Sequence, residues 1–170
     1  MKATVRMYEL MEAAKQNLRE HGELLPVVLI EGSDGGELLV GLEQQGRTAE
    51  IRRLMMFALG REFVALKPTA IVSVMDAFMR RGESDSTARS FADDPGAHDC
   101  LVVARLTRHG ECGTLLCPYE RHATLEGLEV DFGPVEELAG PEFPLLEAFF
   151  LGAGNWHRQL NRMRRHEDLS

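Results

Sequence analysis

Residues 26–43, PVVLIEGSDGGELLVGLE, decide how the rest of the chain folds. Two apolar, β-prone runs flank Ser33-Asp34-Gly35-Gly36, whose glycines and aspartate supply the positive backbone angles that a tight connection needs. The segment therefore reads as a hairpin, with strands at 26–31 and 37–43. A hairpin cannot stand alone in water, so its apolar positions call for further strands and for covering helices.

Those partners can be read outward from it. Upstream, Met7, Met11, Ala14 and Leu18 recur at spacings of three and four within 3–20, as on one face of an amphipathic helix, and Gly22 is a natural stop. Downstream, Thr48 can cap a helix over 49–59, with Ile51, Leu54, Met55, Ala58 and Leu59 as the stripe expected to lie on the sheet. Pro68 precedes TAIVSVMDAF, which reads as an interior strand over 69–75, with a turn of helix expected from Asp76 to Arg81. The passage from the second strand through this helix to the third reads as a right-handed crossover that sets a parallel pair into the sheet.

Residues 82–99 are rich in Gly, Ser and Asp, and read as a long acidic loop. Strands follow at 100–107 and 113–119, joined by a turn centred on His109-Gly110, and a short strand is expected at 128–132. Residues 143–166 form a C-terminal helical segment: the apolar block LLEAFFL, a break at Gly152-Ala153-Gly154, then a basic helix from about 155. Together these features define one domain over 1–170 of α+β class, a single mixed, mainly antiparallel sheet of about five or six strands with helices packed on it.

Composition narrows the function. The chain has 170 residues, 44% of them hydrophobic and 27% charged, enough for an ordinary core without metal or disulfide. The N-terminal residues lack the apolar core and cleavage site of a secretory signal, and the longest apolar runs fall far short of the roughly 20 residues that cross a bilayer. Three cysteines, an odd number, read as reduced thiols. The expectation is a cytoplasmic protein without a membrane segment. A net charge of -8 opposes general binding to nucleic acid.

Several constellations invite chemistry. His109, Cys112, Cys117 and His122 lie within fourteen residues, a superficial likeness to zinc spacing. On an extended strand, however, Cys112 and Cys117 point to opposite faces, so neither metal nor cofactor is expected. Cys100 and Cys117 are expected as diagonal neighbours on one face, two small core residues. His98-Asp99 lacks further ligands from helices, and Gly32-Ser33-Asp34-Gly35-Gly36 has acid where a phosphate loop carries lysine.

Three functional readings remain. The leading one is a small binding or regulatory module acting through protein contacts. Its sites are Trp156, Arg158, Arg162 and Arg165 on a basic C-terminal helix suited to an acidic partner, with the acidic loop 82–99 as a further contact, and Asp76, Arg80 and Arg81 at a strand end suited to a polar ligand. Leu145, Leu146, Phe149, Phe150 and Leu151 cover more than one helical face, so a homodimer through the C-terminal helices is expected. The second reading is a hydrolase of a small polar substrate, with Asp76, His98 and Asp99 converging at the strand ends. The third is contact with nucleic acid through the terminal arginines. Each has a plainer counterpart: a helix cap for Asp76, a mobile excursion for 82–99, and a terminal helix packed on the sheet for 155–166.

Overall fold

The computed structural model describes residues 3–42, 48–80, 97–139 and 144–154. Within them run α1 (Val5–His21), β1 (Val27–Glu31), β2 (Glu37–Gly41), α2 (Ala49–Glu62), a short 3-10 turn (Val64–Leu66), β3 (Ala70–Arg80), β4 (Ala97–Thr107), β5 (Cys112–Thr124), β6 (Gly127–Phe132), β7 (Glu136–Ala139) and α3 (Pro144–Gly152). The class is α+β, as the sequence implies.

The strands form one sheet in the order β2-β1-β3-β4-β5-β6, and β7 pairs with the other half of the long β5. Every pairing between described strands is antiparallel. The expected crossover therefore takes a different form. β2 and β3 do run in the same direction, but β1 lies between them and pairs with both.

Two cores line the two faces. On one face, α1 buries Met7, Met11, Ala14 and Leu18 against Leu29, Val72, Val74, Leu101, Val103, Leu115 and Cys117. Helix α1 starts where the Thr4 hydroxyl accepts a hydrogen bond from the Met7 N–H, and stops at Gly22, whose φ of 73° suits glycine. On the other face, α2 and α3 cover Val28, Ile30, Ile71, Cys100, Val102, Ala104 and Leu106 with Met56, Leu146, Phe149 and Phe150.

Helix α2 corrects one expectation. It buries Met56 and Gly60 and packs Leu59 partly against the core, while Ile51, Leu54 and Ala58 of the expected stripe face solvent. The cause is the contact with α3. A β-carbon at Gly60 would collide with the Phe149 carbonyl, and one at Gly152 with the Phe57 carbonyl. The two glycines let the helix backbones touch, and that contact, rather than the apolar stripe, sets how α2 is rotated.

Two further expectations change. Residues 76–80 continue β3 as strand in place of helix, because β4 pairs along their whole length as far as Arg80 with Ala97. The β4–β5 turn is a three-residue connection: Thr107 N–H donates to Glu111 O, and Gly110 has a φ of 87°. Cys117 thus lies opposite Leu101, not Val102, and Cys100 lies opposite Pro118. A one-residue slip reverses faces, so Cys100 sits in the helix-pair core and Cys117 under α1. The two cysteines are not same-face neighbours.

Candidate functional site

The central strands β3, β4 and β5 are the longest in the sheet, and at one end their side chains pass from buried to partly exposed. Side chains alternate along a strand, so Asp76 continues the row of Val72 and Val74, Asp99 that of Leu101 and Val103, and Tyr119 and Arg121 that of Leu115 and Cys117. Register sets these rows beside one another: Asp76 is opposite Leu101, and Asp99 is opposite Tyr119.

There the apolar layer gives way to a polar network. The Tyr119 hydroxyl donates to Asp76 Oδ1 at 2.7 Å and accepts from Arg121 Nη2 at 2.9 Å. Arg121 also reaches Asp76 Oδ2 at 3.3 Å and Asp99 Oδ2 at 3.6 Å, and its guanidinium lies 5.2 Å from the Tyr119 ring centre. The Tyr119 ring is in turn 6.0 Å from that of Phe132, over which Arg19 stacks at 4.8 Å. Tyr119 is 2% exposed, whereas about a third of the Arg121 side chain faces water (33%).

Electrostatics follow from that burial. Desolvation raises the Tyr119 phenol well above the ordinary tyrosine value, and its hydrogen bond to Asp76 and the charge of Asp76 add to the effect. Desolvation also raises the Asp99 carboxyl, opposed by Arg121 and reinforced by Asp76. A phenol held protonated and an arginine shared between two carboxylates can orient a polar ligand or close the end of a core. Tyr119 is no general base at neutral pH, because burial beside the Asp76 carboxylate keeps the phenol protonated.

Of the residues that the sequence singles out, the strand pairing brings Asp76 and Asp99 together. His98 is the neighbour of Asp99 on β4, and alternation turns it to the opposite face, where it is exposed. Arg80 is the last residue of β3. Arg81, Trp156, Arg158, Arg162 and Arg165 lie outside the described residues, as do 82–96 of the acidic loop and the basic helix from 155. Tyr119 and Arg121 are not among the residues that the sequence singles out. The expected strand stopped at 119, so the alternation that carries Cys117, Tyr119 and Arg121 onto one face was cut short.

The candidate metal ligands are scattered. His109 sits in the β4–β5 turn, Cys112 and Cys117 lie in opposite cores, and His122, near the far end of β5, approaches Asp131 at 3.3 Å. Among the described residues, no group of three or more His, Cys, Asp or Glu is arranged to hold a metal ion. Burial pushes the Cys100 thiol up to about 11 and raises those of Cys112 and Cys117, the opposite of what an activated nucleophile needs.

A second feature is the outward face of α2. Ile51, Leu54 and Ala58, at spacings of three and four, share one side of the helix, with Ile51 41% and Leu54 63% exposed. The α3 block is different: Leu146, Ala148, Phe149 and Phe150 are buried within the chain, and Phe149 and Phe150 pack edge to face at 5.4 Å. Among the described residues, no helix is long and apolar enough to cross a membrane. Comparison with protein-family models, curated protein sequences and solved structures finds no match to this chain.

Proposed function

We propose that this chain is a cytoplasmic binding module, which engages another protein through the outward face of α2. One observation carries the reading: α2 turns Ile51, Leu54 and Ala58 of its apolar stripe to water while small residues fasten its other side to α3. Single exposed leucines are common, but here two large apolar side chains and an alanine align along one helix, with Glu50, Arg53, Arg61 and Glu62 exposed around them. An apolar strip with a charged rim fits the apolar side of a partner's amphipathic helix.

The C-terminal arginines remain part of this proposal as a second contact, for an acidic region of the same partner. Of the apolar block that suggests a homodimer at the C-terminal helices, Leu146, Phe149 and Phe150 are buried inside the fold, so such a dimer would draw on the partly buried Leu145 and Leu151 and on residues 155–166. The test is a photo-crosslinking side chain placed at Leu54 in cells. It should yield one protein adduct of defined mass, absent when the label is at exposed Glu129. No adduct at 54, or the same adducts at both positions, would reject the reading.

A second reading has its own observation. Asp76, Asp99, Tyr119 and Arg121 meet on a partly open surface, which suits a small ligand carrying a cation or several hydrogen-bond donors. Soaking the crystallised protein with polar amines, and finding density on Asp76 or Asp99, would support it. The hydrolase reading gains less, because His98 faces away from both aspartates.

A further inference from the structure

The two margins of the sheet differ in how they are protected. Along β6 and β7 stand Glu129, Asp131, Glu136 and Glu137, and like charges of this kind keep one sheet from pairing with another. At the other margin, β2 is Glu-Leu-Leu-Val-Gly, with no lysine and no proline, in unbroken register with β1 from Glu37 to Gly41. Among the described residues, its outer edge has no strand partner.

The hydrogen-bonding groups on that edge can be assigned. Gly32 N–H donates to Gly36 O and Leu42 N–H to Pro26 O, both at 2.8 Å, so the bonded pairs of the hairpin fall on Leu38 and Val40 by alternation. Glu37, Leu39 and Gly41 therefore direct their N–H and C=O groups outward. On the α1 side of this edge, Leu39 is 59% and Leu25 62% exposed. The Leu25 side chain lies over Gly41, 3.7 Å from where a β-carbon would be, and Glu37 is held by Arg6 at 2.8 Å.

We infer that β2 pairs antiparallel with β2 of a second copy of this chain, across a two-fold axis at Leu39. The edge is complementary to itself in this register. Leu39 faces Leu39 of the other copy in a bonded pair, Glu37 faces Gly41, and Leu38 faces Val40, so no like charges meet. About six backbone hydrogen bonds form, and the exposed Leu25 and Leu39 of both copies join into one apolar strip. A contact of five residues a side is smaller than a standard interface, so the dimer is reversible and concentration-dependent. It is independent of the reading of α2.

Sedimentation velocity of the full chain from low to high micromolar concentration tests this, with Leu39→Lys, Leu39→Val and Leu39→Cys beside the wild type. The expected results are a monomer–dimer equilibrium that Leu39→Val retains and Leu39→Lys weakens about tenfold or more, because two ammonium groups then face each other. Leu39→Cys should form a covalent dimer on mild oxidation where the wild type does not, since the paired Cα atoms of a bonded pair, about 5.5 Å apart, lie within disulfide range. Leu39 is exposed, so melting temperatures of the variants should stay near that of the wild type. A monomer at every concentration overturns the inference, as does a dimer that is indifferent to Leu39→Lys.

Discussion

Gly60 of α2 and Phe149 of α3 touch backbone to backbone: a β-carbon at 60 would overlap the Phe149 carbonyl oxygen. With its counterpart at Gly152 against Phe57, this contact fastens the helix pair and sets which side of α2 meets water. Gly60→Ala should destabilise the fold by about 3 kcal/mol, as overpacking at a site with no free space does. Gly152→Ala should cost as much. Chemical denaturation measures both, and a loss under about 1 kcal/mol for either would show that the helices can separate without penalty.

Tyr119 and Asp99 both have raised pKa values, so each favours the fold in its protonated form. For Tyr119, that stabilisation is complete below its unfolded pKa near 10, and is lost as pH rises beyond it. Stability should decline above pH 10, and Tyr119→Phe should remove that part of the decline. For Asp99, the charged carboxylate works against folding at neutral pH, and the opposition fades as pH falls towards its unfolded value of about 4. Asp99→Asn should therefore raise the melting temperature at pH 7 and change it little at pH 3. A lowered melting temperature at pH 7 would mean that the Arg121 ion pair outweighs desolvation.

Ser73 is 1% exposed on β3 between Val28 of β1 and Ala104 of β4, and its hydroxyl has no hydrogen-bond partner among the described residues. Burying such a hydroxyl costs about 1 to 3 kcal/mol. Ser73→Ala should leave stability unchanged or raise it by about 1 kcal/mol. A loss above about 1 kcal/mol would reveal a partner for the hydroxyl.

The three thiols should differ in reactivity. Cys100 and Cys117 are fully buried and Cys112 is partly accessible, while burial raises all three pKa values. A maleimide followed by mass spectrometry should modify Cys112 first and slowly, and Cys100 and Cys117 only on unfolding. Rapid labelling of Cys100 in the native state would show that the cover of α3 opens.

The parts of the fold legible in the sequence were those governed by local periodicity. Met7, Met11, Ala14 and Leu18 are the residues that α1 buries, and the 33–36 turn joins β1 and β2. What periodicity could not show was decided by tertiary contact. The rotation of α2 follows from a glycine contact with a helix ninety residues downstream. Asp76 to Arg80 became strand because β4 supplies partners, although Asp76 followed by Ala77 resembles a helix start. The short acidic β7, EELA, carries no strand signal of its own and exists because β5 is long enough to pair twice. The candidate site was half legible: Asp76 and Asp99 stood out as acids, while Tyr119 and Arg121 depended on where β5 ends.

Native mass spectrometry of the protein isolated from its own cells, wild type beside Leu54→Glu, tests the binding-module reading most directly. Leu54 is exposed, so the substitution should leave the fold intact, and circular dichroism checks that it does. The expected spectrum of the wild type carries a protein-sized mass increment in fixed ratio, and that of Leu54→Glu lacks it. A wild type that carries only a metal- or metabolite-sized increment, kept in Leu54→Glu, would contradict the reading and move attention to Asp76, Asp99, Tyr119 and Arg121.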